Sequence, residues 1–229
     1  MGHQDHRRGL DRSRGRRHRR GGAHLTVLVA ALVAVVLAVS GCGGDSGEDT
    51  APQPTPVRLD APPTNLTWAS FNGMSIPQAD QGPRTPDQLA PRGFEQSPAG
   101  SALAAINATI RMSVATDDQW PQIVRTLLAP GPARDAFIAS RIQLSTTDLV
   151  PAGQAPLVLG WQVTAFTPEQ AGVDVFTQLP DQSLAVNHTT VVWTGFGDWG
   201  LLLPDANAAA PAVQTISAVP AGAVRIKGD

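Results

Sequence analysis

The feature that most constrains this chain is a change of apolar period near residue 155. Before it, Leu103, Ile106, Ile110 and Val114 recur at spacings of three and four, which places them on one face of a helix. After it, Leu157, Leu159, Trp161, Val163 and Ala165 alternate with Val158, Gly160, Gln162 and Thr164, the pattern of a half-buried strand. Helical sequence grouped first and strand sequence grouped afterwards predicts an α+β fold, with helices packed on one face of an antiparallel sheet.

Three helices are expected. The first starts at Ser97-Pro98, where serine accepts from free amides and proline suits the first helical position. The second spans about residues 118–128. Asp117 and Asp118 lie at its positive end, and Trp120, Ile123, Val124, Leu127 and Leu128 form its buried side. Pro130-Gly131-Pro132 stops it, and a third helix follows over about residues 133–144. Four strands are expected over residues 157–165, 172–179, 184–194 and 199–203. Short turns separate them, which makes the simplest arrangement a meander. Residues 223–226 add a candidate short strand. Residues 66–91 carry Asn72-Gly73, a tight-turn pair, and then several prolines. They predict an extended arm pegged by Trp68 and Phe71.

The N-terminal region has a different character. Eight arginines fall in residues 1–24, followed by fifteen mostly apolar residues from Leu25 to Val39. At about 1.5 Å per residue that run makes roughly 22 Å, short of a hydrocarbon core of about 30 Å. The layout predicts an export signal over residues 1–41 rather than a permanent span. Val39-Ser40-Gly41-Cys42 resembles the lipobox of bacterial lipoproteins, and Cys42 is the only cysteine. The resemblance implies a lipid on Cys42 and a chain held at the extracytoplasmic face of the cell membrane, with palmitate-type acylation of the mature N-terminus. Residues 42–64, rich in Gly, Pro and Asp, read as a disordered tether. Residues 65–204 read as the α+β domain and residues 205–229 as an Ala/Pro-rich tail.

Charge narrows the partners. The leader takes eight of the 17 basic residues and two of the 19 acidic ones, which leaves nine against 17 and a net charge of −8. An acidic body argues against nucleic acid or anionic lipid as a direct partner. After residue 41 there is one histidine, His188, and one lysine, Lys227. That supply is too thin for a metal site, and no nucleophile or phosphate-loop motif is present. No cofactor is expected. His188 with Asp174, on the expected neighbouring strand, is the best acid–base pair, and Asp198 reads as a turn acid. Trp161, Trp193 and Trp199 lie in the strand region, as core or as a stacking surface for a ligand. Phe196, between Gly195 and Gly197, is a candidate partner contact at a turn.

Three helices followed by a four-strand meander ending in Trp193-Thr194-Gly195-Phe196-Gly197-Asp198-Trp199 resemble the cystatin-like cone of nuclear transport factor two-like domains. The order is also similar to the extracytoplasmic domains of conjugation and type IV secretion proteins. Trp68 to Gly73, Gly82-Pro83, Gly93-Phe94, Ser97-Pro98, Gly100 and Ala104-Ala105 resemble an uncharacterised family of exported actinobacterial proteins. The anchor, the missing catalytic sets and these likenesses together predict a non-enzymatic interaction or scaffold lipoprotein of the envelope, working with envelope or transfer-machinery proteins, with a conjugation or secretion apparatus as the narrower expectation. The alternative is a small-ligand or cell-wall-fragment binding module using the cone interior. A His188–Asp174 hydrolase or isomerase is the third reading.

Overall fold

The computed structural model describes residues 56–205, 207–208 and 211–226. The expected signal, Cys42, the tether up to residue 55 and Lys227 lie outside them. Among the described residues no helix is long and apolar enough to cross a membrane.

Regular structure begins before the helices. Strands β1 (Thr67–Phe71) and β2 (Met74–Gln78) form an antiparallel hairpin that turns at Asn72-Gly73. Both turn residues are left-handed, with φ of 47° and 89°, a geometry that Asn and Gly tolerate and that matches strand twist. The arm expected here is therefore partly a hairpin. Of its two pegs only Phe71 is buried, with the Arg111 guanidinium 4.5 Å from its ring centre. Trp68 is 42% exposed. Pro77 obscured β2 in the sequence, yet a two-stranded ribbon leaves each strand an unpaired edge where proline costs no ladder bond.

Helix α1 (Pro98–Val114) starts as expected, with the Ser97 hydroxyl accepting the Gly100 amide at 3.1 Å. It is buried around nearly its whole circumference, because it lies between β2 and the main sheet. Its polar side chains find partners within the fold. Asn107 donates to the Leu103 carbonyl at 3.0 Å, and Arg111 donates to the carbonyls of Gln88 and Leu89. Helices α2 (Trp120–Leu127) and α3 (Pro132–Arg141) follow, each with proline in its first turn. Asp117 does not serve the end of α2. Its carboxylate accepts from Arg141 at 3.0 Å, the Thr146 amide at 2.9 Å and the Ser145 hydroxyl at 2.7 Å.

Strands β3 (Leu157–Phe166), β4 (Gln170–Gln178), β5 (Leu184–Trp193) and β6 (Trp199–Leu202) form the expected meander. Two more strands join it, β7 (Val213–Ile216) and β8 (Val224–Arg225). The sheet order is β6-β5-β4-β3-β8. β7 pairs with Leu184–Asn187 of β5, along the same edge that β6 occupies at Thr190–Trp193.

The expected fold is corrected on two counts. The helices are not N-terminal, since a hairpin precedes them, and the sheet has six strands rather than about four. Three leading helices on a four-strand cystatin-like cone is therefore not this architecture. The physical reason lies in β7, four residues long and too short to show a period among Ala and Pro, whereas β8 falls within the expected segment 223–226.

The strand phase also departs from simple alternation. The β3–β4 register skips Leu159. The bulge moves the inward phase so that Val158, Trp161 and Val163 enter the core with Val173, Val175 and Val191. α1 covers this face with Leu103 and Ile106. On the opposite, outer face the chain runs back from β7 on one edge to β8 on the other. It brings Gly222 against Gln162, and Phe176 and Val186, which point to this side, are buried.

Candidate functional site

The residues picked out by sequence separate into three places. Trp161 is entirely buried in the core, and its indole Nε1 has no hydrogen-bond partner. It fills the interior that a ligand would need. Trp193 and Trp199 meet edge to face, with ring centres 5.2 Å apart and planes at 80°, and Phe166 lies 6.0 Å from Trp199. This aromatic group packs the base of the β5–β6 turn.

His188 and Asp174 do come together. They are directly opposed in the β4–β5 register, and Nδ1 lies 2.6 Å from Oδ1. Alternation puts them on the outer face, since their neighbours Val173 and Val175 point into the core. The His188 side chain is 41% exposed and that of Asp174 23%. The pair has the geometry of a general base with its orienting carboxylate. Among the described residues no three His, Cys, Asp or Glu side chains gather as a metal site.

The third place is the turn itself. Thr194 closes it, with its amide and hydroxyl both donating to the Asp198 carbonyl at 2.8 and 2.9 Å. Gly197 adopts φ 72°, a left-handed value that glycine accommodates without strain. The Asp198 carboxylate then accepts three amides, Gly93 at 2.6 Å, Phe94 at 3.1 Å and Trp199 at 2.9 Å. Trp199 Nε1 donates to the Glu95 carbonyl at 2.8 Å. The turn is thereby fixed to the segment that leads into α1. At its tip Phe196 is 94% exposed. Beside it opens a cleft of about 420 Å³, bounded by the turn, residues 85–93, the end of α2 and the start of α3. Arg92, Arg125 and Arg134 line it.

The sequence model of one family, described as a domain of unknown function (DUF8175), matches residues 37–223. The chain belongs to that family. No curated protein and no solved structure matches it. The DUF8175 match opens inside the apolar run, takes in Cys42, and extends through the hairpin, the helices and the sheet to the residue before β8.

Sequence reasoning missed the three arginines of the cleft. They are spread over about forty residues of chain, on a loop and two helices, with no spacing motif between them. The one available signal was scarcity. In a body with nine basic residues, each base is worth placing.

Proposed function

We propose that this chain is an exported actinobacterial lipoprotein, held by lipid on Cys42 at the extracytoplasmic face of the cell membrane. Its folded body acts there as a non-enzymatic interaction module for other envelope proteins. The apolar run, the Val39-Ser40-Gly41-Cys42 sequence and the acidic body support the location. One observation carries the interaction reading, Phe196 standing 94% exposed on a turn whose base is pinned. A ring in water contributes nothing to this fold's core. Aromatic anchors on preorganised backbone are the residues that dominate protein interfaces. The narrower assignment to a conjugation or secretion channel leaned on the four-strand cone and loses that support.

The test is a comparative pull-down from solubilised membranes with wild type and Phe196→Ser. Envelope proteins recovered with wild type and depleted at least about tenfold with the variant fit the reading, since a hot-spot residue contributes 2 kcal/mol or more. Equal recovery with both chains rejects it.

A second reading is favoured by the 2.6 Å His188–Asp174 contact, which suits acid–base chemistry. Our proposal expects His188→Ala to leave partner recovery unchanged. An esterase or glycosidase activity abolished by His188→Ala would replace it.

A further inference from the structure

The cleft beside Phe196 collects three arginines, and the side chains of two of them make no hydrogen bond or ion pair among the described residues. Most other described bases have internal partners. Arg58 pairs with Asp60, Arg84 with Glu95 and Arg141 with Asp117. Arg111 is bound to carbonyls, and Arg225 also has a partner. The three arginines of the cleft differ. Among the described residues, Arg92 and Arg125 make no side-chain hydrogen bond or ion pair, and Arg92 acts only through space on Asp87. Arg134 is held 3.9 Å from Asp135, and its Nε is buried with no hydrogen-bond partner.

Guanidinium groups that line one concavity without acceptors of their own are suited to an anionic ligand. One carboxylate, Asp198, also lines the cleft. Both of its oxygens are already engaged by backbone amides. Among the lining residues, three arginines against one carboxylate leave a net charge of +2, with Asp135 beside Arg134 outside the lining. That charge sits in a body whose overall charge after residue 41 is −8. Leu128, Pro130 and Phe196 give the cleft an apolar wall. Its volume of about 420 Å³ lies within the range of small-ligand sites.

We infer that this cleft binds a small organic dianion, a phosphomonoester or a dicarboxylate, whose carbon portion rests against Phe196 and Pro130. Guanidinium forks fit both oxyanions bidentately. The bound anion supplies the acceptors that the Arg92 and Arg125 guanidinium groups lack. This assignment depends neither on the lipid anchor nor on a protein partner, so it stands or falls separately from the pull-down.

The experiment is calorimetric titration of the full chain, in a neutral detergent, with phenyl phosphate, succinate and benzyl alcohol. Saturable binding of phenyl phosphate identifies the phosphate source, and saturable binding of succinate the carboxylate source. Benzyl alcohol is expected not to bind. Arg125→Gln and Arg134→Gln should each weaken the binding at least about tenfold, whereas Arg58→Gln, outside the cleft, should leave it unchanged. Arg125→Lys, which keeps the charge without the fork, should fall between. Because Arg125 holds nothing in the fold, its variants should melt with wild type. Absence of saturable binding by both anions overturns the inference. So does binding that survives the combined Arg125→Gln and Arg134→Gln change.

Discussion

The Asp198 carboxylate accepts the Gly93 amide at 2.6 Å, across 105 residues of chain. The contact joins the last turn of the meander to the approach to α1, two segments that alternate strand pairing would not connect. Phe94 and Trp199 donate to the same carboxylate. Asp198→Ala leaves three amides without their acceptor. Since a hydrogen bond to a charged group contributes about 1.5–3 kcal/mol, the variant should lose roughly 2–4 kcal/mol in urea unfolding. Asp198→Asn keeps an acceptor and should lose less. Equal stability of Asp198→Ala and wild type would show that the clamp contributes nothing.

Gly160 is where β8 closes onto β3. A Cβ added there would lie 2.2 Å from the Val224 carbonyl oxygen, so Gly160→Ala must push β8 away. Forced overpacking of this kind costs about 1–3 kcal/mol. The amide of Ile226, which donates to the Leu159 carbonyl at 3.0 Å, should then exchange with deuterium much faster. Unchanged protection there would mean that the edge tolerates the methyl group.

Acid should loosen the chain at two carboxylates. The Thr146 amide, the Ser145 hydroxyl and Arg141 hold Asp117 below its ordinary value of 3.8, and the amides of Ala90 and Leu89 do the same for Asp87. Both groups are depressed in the folded state, so the unfolded chain binds protons first as pH falls. Their stabilisation is complete above about pH 4 and is lost as pH drops through the folded values. Melting temperatures at pH 7, 4 and 3 should fall mainly over the last step. Asp117→Asn should flatten that step, and an undiminished acid drop in the variant would contradict this assignment.

Cys42→Ser removes the sulfur that the lipobox reading requires. The variant should move from the membrane to the soluble fraction, because a single acyl chain contributes about 0.8 kcal/mol per buried methylene and two chains anchor stably. Continued sedimentation with membranes would refute the lipid anchor.

Much of the architecture was legible from local chemistry. Ser97-Pro98 marked the start of α1 to the residue, and four strands followed from period two. What could not be read depends on distance in sequence. The Leu159 bulge is set by how β3 must twist against β4, so strict alternation put Leu157 and Leu159 on the side of Trp161 and Val163, where the core takes Val158 instead. Residues 223–226 were legible as a short strand, and β8 forms there, whereas β7 exists only because β5 offers an unpaired edge to a very short segment. At the turn, the glycines exposed Phe196 as an oddity. Its fixation by Asp198 and the gathering of Arg92, Arg125 and Arg134 depend on tertiary placement that no spacing encodes. The His188–Asp174 pair was found because its two members lie on consecutive strands, where register is nearly a local property.

The return of the chain from β7 over the outer face to β8 carries a consequence for biogenesis. A polypeptide delivered N-terminus first presents β3 with a bare edge until its closing segment arrives. Until then the sheet can accept a stranger's strand as readily as its own. β8 caps that edge at Gly160 and Trp161, and a chain shortened before Val224 should clump before it melts.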